Sequence, residues 1–183
     1  IGSLYGDATV NNTGHIEAYS LTDDAVGVST LSVFGDAVVD NSGSINAGGY
    51  GLAYGVVAYS EFYDANVTNS GSITATSTVF DSAVGVAASG GKYAEVTNTE
   101  TGTIEVTASG DSKYSSAIGI IANGYYGATV DNAGSITATA NGGAKYAAGI
   151  VANGYNGASV TNSGSITTEG KYSVGIVSGS LDG

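Results

Sequence analysis

The sequence predicts an all-β fold: a single parallel β-solenoid over residues 1–183, with six coils of about 30 residues and three short strands in each coil. Three observations support this prediction. One pattern recurs six times, apolar residues recur at a spacing of two, and Gly, Ser, Asn and Thr separate the apolar segments. A fixed period of this size is typical of stacked units, and a spacing of two is the strand period. We expect a right-handed solenoid, the usual hand of parallel crossovers.

The first strand of each coil carries an Ala-x-Val-x-Asn motif, in which Ala and Val share one face. We expect the valines to stack inside and the alanines to keep the interior narrow. The asparagine column is Asn12, Asn41, Asn69, Asn98, Asn132 and Asn162. Stacked amides donate to one neighbour and accept from the other, so this column predicts a structural ladder. The alternative, glycan attachment, fits only the triplets at Asn11 and Asn66, which lie outside the column.

A short Asn-x-Gly link leads to the second strand, whose Gly-x-Ile motif supplies a column of isoleucines. We expect the link glycines to adopt positive φ, which glycine accepts at no steric cost. In the fourth copy the link is longer, from Asn98 to Gly102, and predicts a local bulge.

The third strand carries a glycine followed by Ile or Val, and that residue supplies the third interior column. The spacing of these glycines varies mostly because the segment between the second and third strands changes length, as from Ala138 to Tyr146. Variable length indicates a surface loop.

Composition narrows the possible partners. The chain has no Cys, which excludes disulfides and thiolate metal sites, and its net charge is −12. Such a field repels nucleic acid and anionic lipid, so we expect no nucleic-acid partner. There is no apolar run of transmembrane length, so we expect a chain that is not embedded in a membrane. Residue 1 falls inside a repeat, and we expect a fragment or processed piece of a longer array.

A row of carboxylates is the only candidate metal site. Asp7, Asp36 and Asp64 each stand three residues before the column valine. Stacked about 4.8 Å apart, their oxygens suit Ca²⁺, and they equally suit solvated turns. Apart from this calcium alternative, we expect no cofactor.

Two sets of aromatic residues also recur. One residue stands five positions before the column valine, with Gly91 as a gap: Tyr5, Phe34, Phe62, Tyr125 and Tyr155. All four lysines occur as Lys-Tyr pairs, assigned here to the variable loops: Lys92-Tyr93, Lys113-Tyr114, Lys145-Tyr146 and Lys171-Tyr172. Both sets suit either an aromatic stack that covers the rod or a strip that binds sugar or protein, because Tyr combines an apolar body with a polar tip.

The sequence predicts no enzyme. It has no Arg, no Cys and a single His, His15. Glu17, Glu105 and Glu169 fall in the first, fourth and sixth coils, too far apart to act as a glycosidase pair. A polysaccharide-active solenoid is the weakest alternative.

The segment Val-Thr-Asn-Ser-Gly-Ser-Ile-Thr-Ala at 67–75, with a near copy at 160–168, resembles the passenger repeats of bacterial autotransporter and haemagglutinin-like adhesins. The resemblance implies export and display on, or release from, the bacterial outer surface. We therefore expect a non-enzymatic extracellular structural or adhesive module. Its expected partners are a host or matrix glycan or protein, or neighbouring copies of itself. The alternative is a filament subunit that stacks end to end.

Overall fold

The computed structural model describes residues 1–79, 82–110 and 112–180, and all of the regular structure in this part of the chain is β-strand. The strands, in chain order, are β1 (Gly2–Tyr5), β2 (Ala8–Asn12), β3 (His15–Tyr19), β4 (Ala25–Phe34), β5 (Ala37–Asn41), β6 (Ser44–Gly49), β7 (Ala53–Ser60), β8 (Ala65–Asn69), β9 (Ser72–Ser77), β10 (Ala83–Gly90), β11 (Tyr93–Asn98), β12 (Thr103–Ala108), β13 (Ser116–Gly124), β14 (Gly127–Asn132), β15 (Ser135–Ala140), β16 (Tyr146–Gly154), β17 (Ala158–Asn162), β18 (Ser165–Glu169) and β19 (Tyr172–Ser180).

These strands form three parallel sheets along the axis of a rod. Sheet 1 contains β2, β5, β8, β11, β14 and β17; sheet 2 contains β3, β6, β9, β12, β15 and β18; sheet 3 contains β1, β4, β7, β10, β13, β16 and β19. One coil takes a strand from each sheet in turn, so coil 1 is β2, β3 and β4, and coil 6 is β17, β18 and β19. The strand β1 precedes coil 1 and pairs with β4. The predicted parallel β-solenoid of six coils with three strands each is confirmed.

The interior is built from columns of like residues. Equivalent residues pair between coils, as Val39 pairs with Val67 in sheet 1 and Ile45 with Ile73 in sheet 2. In the middle coils these side chains are at most 2% exposed. Each buried Val or Ile stabilises the fold by about 1.5–3 kcal/mol, and here its neighbours above and below have the same shape. The predicted interior columns are confirmed.

The link glycines have a different role from the one predicted. Among the described residues, positive φ occurs only at Gly6, Gly142 and Gly157, so the prediction of positive φ at the links was wrong. The cause is close contact between coils. A β-carbon placed on Gly71 would overlap the carbonyl oxygen of Gly43, and one on Gly43 would overlap that of Gly14. Glycine is therefore required because backbone meets backbone at this corner.

The strands of sheet 3 differ from the predicted short strands. β4 to β19 in this sheet have 8–10 residues each, while the strands of sheets 1 and 2 have 5 or 6. Each bends at its glycine, since Gly55 and Val56 are both buried and Gly55 is left out of the bridge pairing. A β-carbon on Gly55 would overlap Cγ2 of Ile73. The missing side chain at the bend makes room for the isoleucine column of sheet 2.

The connections agree with the repeat pattern. The longer link in the fourth copy is a tight turn, in which the Gly102 amide donates to the Thr99 carbonyl at 2.9 Å. Loops of different length join sheet 2 to sheet 3, for example 141–145 against 170–171. Residues 1–79, 82–110 and 112–180 include no helix of the length and apolar character needed to span a bilayer.

Candidate binding surface

The asparagine column forms a continuous hydrogen-bonded chain inside the corner between sheets 1 and 2. Each side-chain Nδ2 donates to Oδ1 of the asparagine in the next coil, at 2.8 Å for the first four steps and 2.7 Å for the step to Asn162. The second hydrogen of Asn41 faces the Ser72 carbonyl at 3.3 Å. Asn69 and Asn98 are fully buried, so these amides hold coils together and are closed to a ligand.

The carboxylate row lies at the corner between sheets 3 and 1, where it binds backbone. Asp7 Oδ1 accepts from the Asp36 amide at 2.9 Å, Asp36 Oδ1 from the Asp64 amide at 3.1 Å, and Asp64 Oδ1 from the Tyr93 amide at 3.1 Å. Each carboxylate thus caps the coil that follows it. The described residues contain no group of three or more His, Asp or Glu arranged to hold a metal ion.

The same corner carries aromatic rings in two separate groups. Tyr5, Phe34 and Phe62 stack with centroids 5.6 and 5.3 Å apart. Tyr125 and Tyr155 stack at 5.6 Å with an angle of 5° between their planes. All of these rings are substantially exposed, from 42% for Tyr155 to 78% for Tyr5. They form an aromatic edge along the rod, and we call this corner the aromatic corner.

A change of link length separates the two groups. The count runs from the sheet 3 residue to the sheet 1 alanine that pair in register from coil to coil, and it includes some strand residues. Four residues lie between them in the first coils, 33–36 and 61–64, and three lie between them later, 91–93 and 125–127. The ring missing at Gly91 therefore coincides with a shift of the backbone. The sequence signal for this shift was the loss of one residue between the third strand of one coil and the first strand of the next. Counting positions back from the column valine does not reveal this loss, because the count never reaches the third strand.

The Lys-Tyr pairs lie at two different corners. Lys113-Tyr114 lies in a loop between sheets 2 and 3. Lys145 and Lys171 end the next two loops between these sheets, and Tyr146 and Tyr172 are the first residues of β16 and β19. Lys92 and Tyr93 instead lie at the aromatic corner, where β11 begins, because they directly precede Ala94 of the Ala-x-Val motif, so their assignment to a variable loop was wrong. Lys92 Nζ lies 4.1 Å from the ring centroid of Tyr63, a cation–π contact. The four pairs therefore do not form one strip.

A groove missed by the sequence analysis lies where sheet 3 meets the aromatic corner. β13 ends in Asn123 and Gly124 before Tyr125, and β16 ends in Asn153 and Gly154 before Tyr155. Alternate residues face opposite sides, so Asn and Tyr point outward and the glycine between them is buried. The result is a groove of about 390 Å³, lined by Ser89, Gly90, Asn123, Gly124, Tyr125, Asn153, Gly154 and Tyr155. We call it the Tyr-Asn groove.

Tyr59 and Glu61 lie next to one end of the Tyr-Asn groove. Tyr59 pairs in register with Ser89, and Glu61 lies beside Gly91, whose β-carbon would overlap the Glu61 carbonyl oxygen. The Tyr59 hydroxyl donates to the Glu61 carboxylate. Tyr59 precedes the asparagines and Glu61 precedes the tyrosines of the groove in the coil before it, so this pair joins the two sides of the groove at that point. The hydrogen bond to Glu61, with smaller contributions from burial and from the Glu61 charge, raises the pKa of Tyr59 above the usual value for a phenol.

One cluster has the residue types of a hydrolase. His15 Nδ1 lies 2.7 Å from Ser44 Oγ, and His15 Nε2 lies 3.9 Å from Glu17 Oε2. The 3.9 Å distance is too long for a hydrogen bond that would orient the ring. The side chains of His15 and Glu17 are 55% and 68% exposed, so water competes for every contact. Base activation of a serine requires a tighter and drier arrangement than this one.

No protein family, curated protein or solved structure that was compared with the chain matches it. The β-solenoid therefore rests on the strand pairing itself. The similarity to autotransporter and haemagglutinin-like passengers stays a prediction.

Proposed function

We propose that the chain is a non-enzymatic extracellular rod, displayed on or released from a bacterial surface, that presents adhesive side surfaces to a host or matrix glycan or protein. One observation carries this proposal: the interior columns and the asparagine chain run through all six coils, while exposed aromatic rings follow one corner outside. Stacked coils with a rise of about 4.8 Å give a rod about 29 Å long.

The outer surface fits this role. Monomeric soluble proteins rarely leave a row of large apolar side chains exposed without a use for it. Here Phe34, Phe62, Tyr125 and Tyr155 are each 42–59% exposed along one corner. Tyr and Phe supply contact area at low entropic cost, as interfaces do. The net charge of −12 keeps such a surface in solution and repels anionic polymers.

Binding of the purified chain to cultured epithelial cells and to immobilised matrix proteins and glycans tests the proposal. Surface plasmon resonance should show saturable binding to at least one of these surfaces, and the variant Phe34→Ser/Phe62→Ser should bind less than Leu21→Ser, a matched change of an exposed apolar residue outside the corner. If the purified chain binds none of these surfaces, the adhesive role is refuted and only a role as a spacer remains. End-to-end assembly into filaments stays a prediction, and electron microscopy at neutral pH tests it.

A further inference from the structure

We propose that the Tyr-Asn groove binds a neutral β-1,4-linked hexose polysaccharide whose chain runs along the rod axis. This inference rests on the proposed adhesive function and names its ligand class. The groove is about 390 Å³ in volume, within the range of small-molecule sites.

The lining has the chemistry that a sugar requires. Tyr125 and Tyr155 stack on each other, so along one side they present apolar ring edges with hydroxyl tips, and Asn123 and Asn153 present amides on the other side. Asn153 Nδ2 donates to Asn123 Oδ1 at 3.0 Å, which fixes the orientation of both amides. That bond uses one hydrogen of Asn153, so Asn123 Nδ2 and Asn153 Oδ1 remain as a donor and an acceptor. Sugars need this combination, because their C–H faces are apolar and their hydroxyls both donate and accept.

The absence of charged side chains in the groove lining favours a neutral polymer. None of its lining residues carries a charge at neutral pH, and no lysine is among them. Glu61 lies next to one end of the groove, and the whole chain has a net charge of −12. A uronic-acid or sulfated polymer would meet repulsion with no cation to offset it.

The repeat of the rod sets the direction of the ligand. The Asn-Gly-Tyr unit occurs in two neighbouring coils, at 123–125 and 153–155, about 4.8 Å apart, which is close to the length of one hexose in an extended β-1,4 chain. Asn123 pairs with Asn153 and Gly124 with Gly154 in register, so two successive hexoses would each face one Asn and one Tyr, with opposite faces of the sugar turned toward the rod. The small residues Ser89 and Gly90 leave room for a third, and the Tyr59–Glu61 pair lies next to that end of the groove.

Titration of the ¹⁵N-labelled chain by NMR with cellohexaose, N-acetylchitohexaose and β-1,4-mannohexaose, with a heparin hexasaccharide as the anionic comparison, tests the proposal. At least one neutral probe should shift the side-chain amide signals of Asn123 and Asn153, and heparin should not. Tyr125→Ala should weaken that binding about tenfold, as expected for loss of one aromatic contact. Ser89→Tyr should block the groove, because its neighbour Tyr59 shows that this row accepts tyrosine. Tyr114→Ala, at an 82% exposed tyrosine in another loop, should change nothing.

Two outcomes would overturn the proposal: no neutral hexasaccharide binds, or binding survives both Tyr125→Ala and Ser89→Tyr in folded protein. If Tyr125→Ala disturbs the fold, the Ser89→Tyr result decides, since that change adds a ring outside the core. The adhesive function is judged separately by cell and matrix binding. A rod that binds those surfaces and none of the hexasaccharides would keep its adhesive role and lose this site.

Discussion

Replacing Asn69 with alanine would remove the middle of the asparagine chain. The side chain is fully buried, accepts from Asn41 Nδ2 at 2.8 Å and donates to Asn98 Oδ1 at 2.8 Å. Its Nδ2 also lies 3.3 Å from the Thr103 carbonyl. The variant therefore removes the acceptor of Asn41 Nδ2 in the coil before and the donor to Asn98 Oδ1 in the coil after.

Asn98 Oδ1 is then left without its donor, and an unsatisfied buried polar group costs about 1–3 kcal/mol. Asn41 Nδ2 keeps the Ser72 carbonyl at 3.3 Å, so it loses one bond, which costs about 0.5–1.5 kcal/mol. Together the two changes lower the free energy of unfolding by about 1.5–4.5 kcal/mol. Asn162→Ala is the matched control at the last coil. Asn162 is exposed and accepts one bond, from Asn132 Nδ2 at 2.7 Å, and Asn132 keeps the Gly134 carbonyl at 3.4 Å. Losing one such bond costs about 0.5–1.5 kcal/mol.

Urea unfolding followed by far-UV circular dichroism would measure both variants. The stability of a solenoid is roughly a sum of contacts between neighbouring coils, so a broken middle contact should move the whole transition. Asn69→Ala should shift the midpoint several times further than Asn162→Ala. Equal, small shifts would refute the reasoning, because they would mean that the chain of amides adds nothing beyond the backbone ladder.

Three further predictions follow from the core and from one titrating pair. Gly71→Ala should destabilise the rod by about 1–3 kcal/mol through overlap with the coil before, while Gly14→Ala, with no atom within 4 Å, should have little effect in the same urea assay. Ile73→Ala should cost about 2–5 kcal/mol, and a crystal structure should show a cavity at its site. Tyr59 should ionise above the usual phenol pKa, so its bond to Glu61 contributes stability below about pH 10 that is lost as pH rises through the raised pKa. Absorbance at 295 nm should show that Tyr59→Phe removes a tyrosine that ionises above about pH 10, and a loss of absorbance change confined to lower pH would contradict this.

The sequence predicted the architecture because the interior repeats at residue level. A spacing of two between Ala and Val indicates a β-strand, and six recurrences of the motif indicate a stack of like coils. The columns through Val67 and Ile73 then follow, since like residues in successive coils pair in register. These inferences need no knowledge of side-chain contacts.

The surface was harder to predict because it depends on local backbone geometry. Counting back from the column valine placed Tyr125 in line with Phe62. However, the link from sheet 3 to sheet 1 that contains Tyr125 is one residue shorter than the link that contains Phe62. Lys92 and Tyr93 lie at the aromatic corner because they directly precede Ala94 of the first strand. Likewise the glycines of the Asn-x-Gly links signal close approach of two backbones, and a sequence does not distinguish this need from positive φ.

The division between a constant interior and a variable exterior also limits where a ligand could bind. Every coil must supply the same Val, Ile and Asn to its neighbours, so those positions are set by packing and leave no freedom for a ligand. Outward-facing positions are not constrained by packing between coils. If their side chains served only to keep the rod in solution, we would expect similar residues at these positions in every coil. The aromatic corner is uneven at Gly91, between stacked rings on one side and the Tyr125–Tyr155 pair on the other. The Tyr-Asn groove begins beside that break, at Ser89 and Gly90. An interruption of the outer pattern over an unbroken core is where a binding site can form without loss of stability.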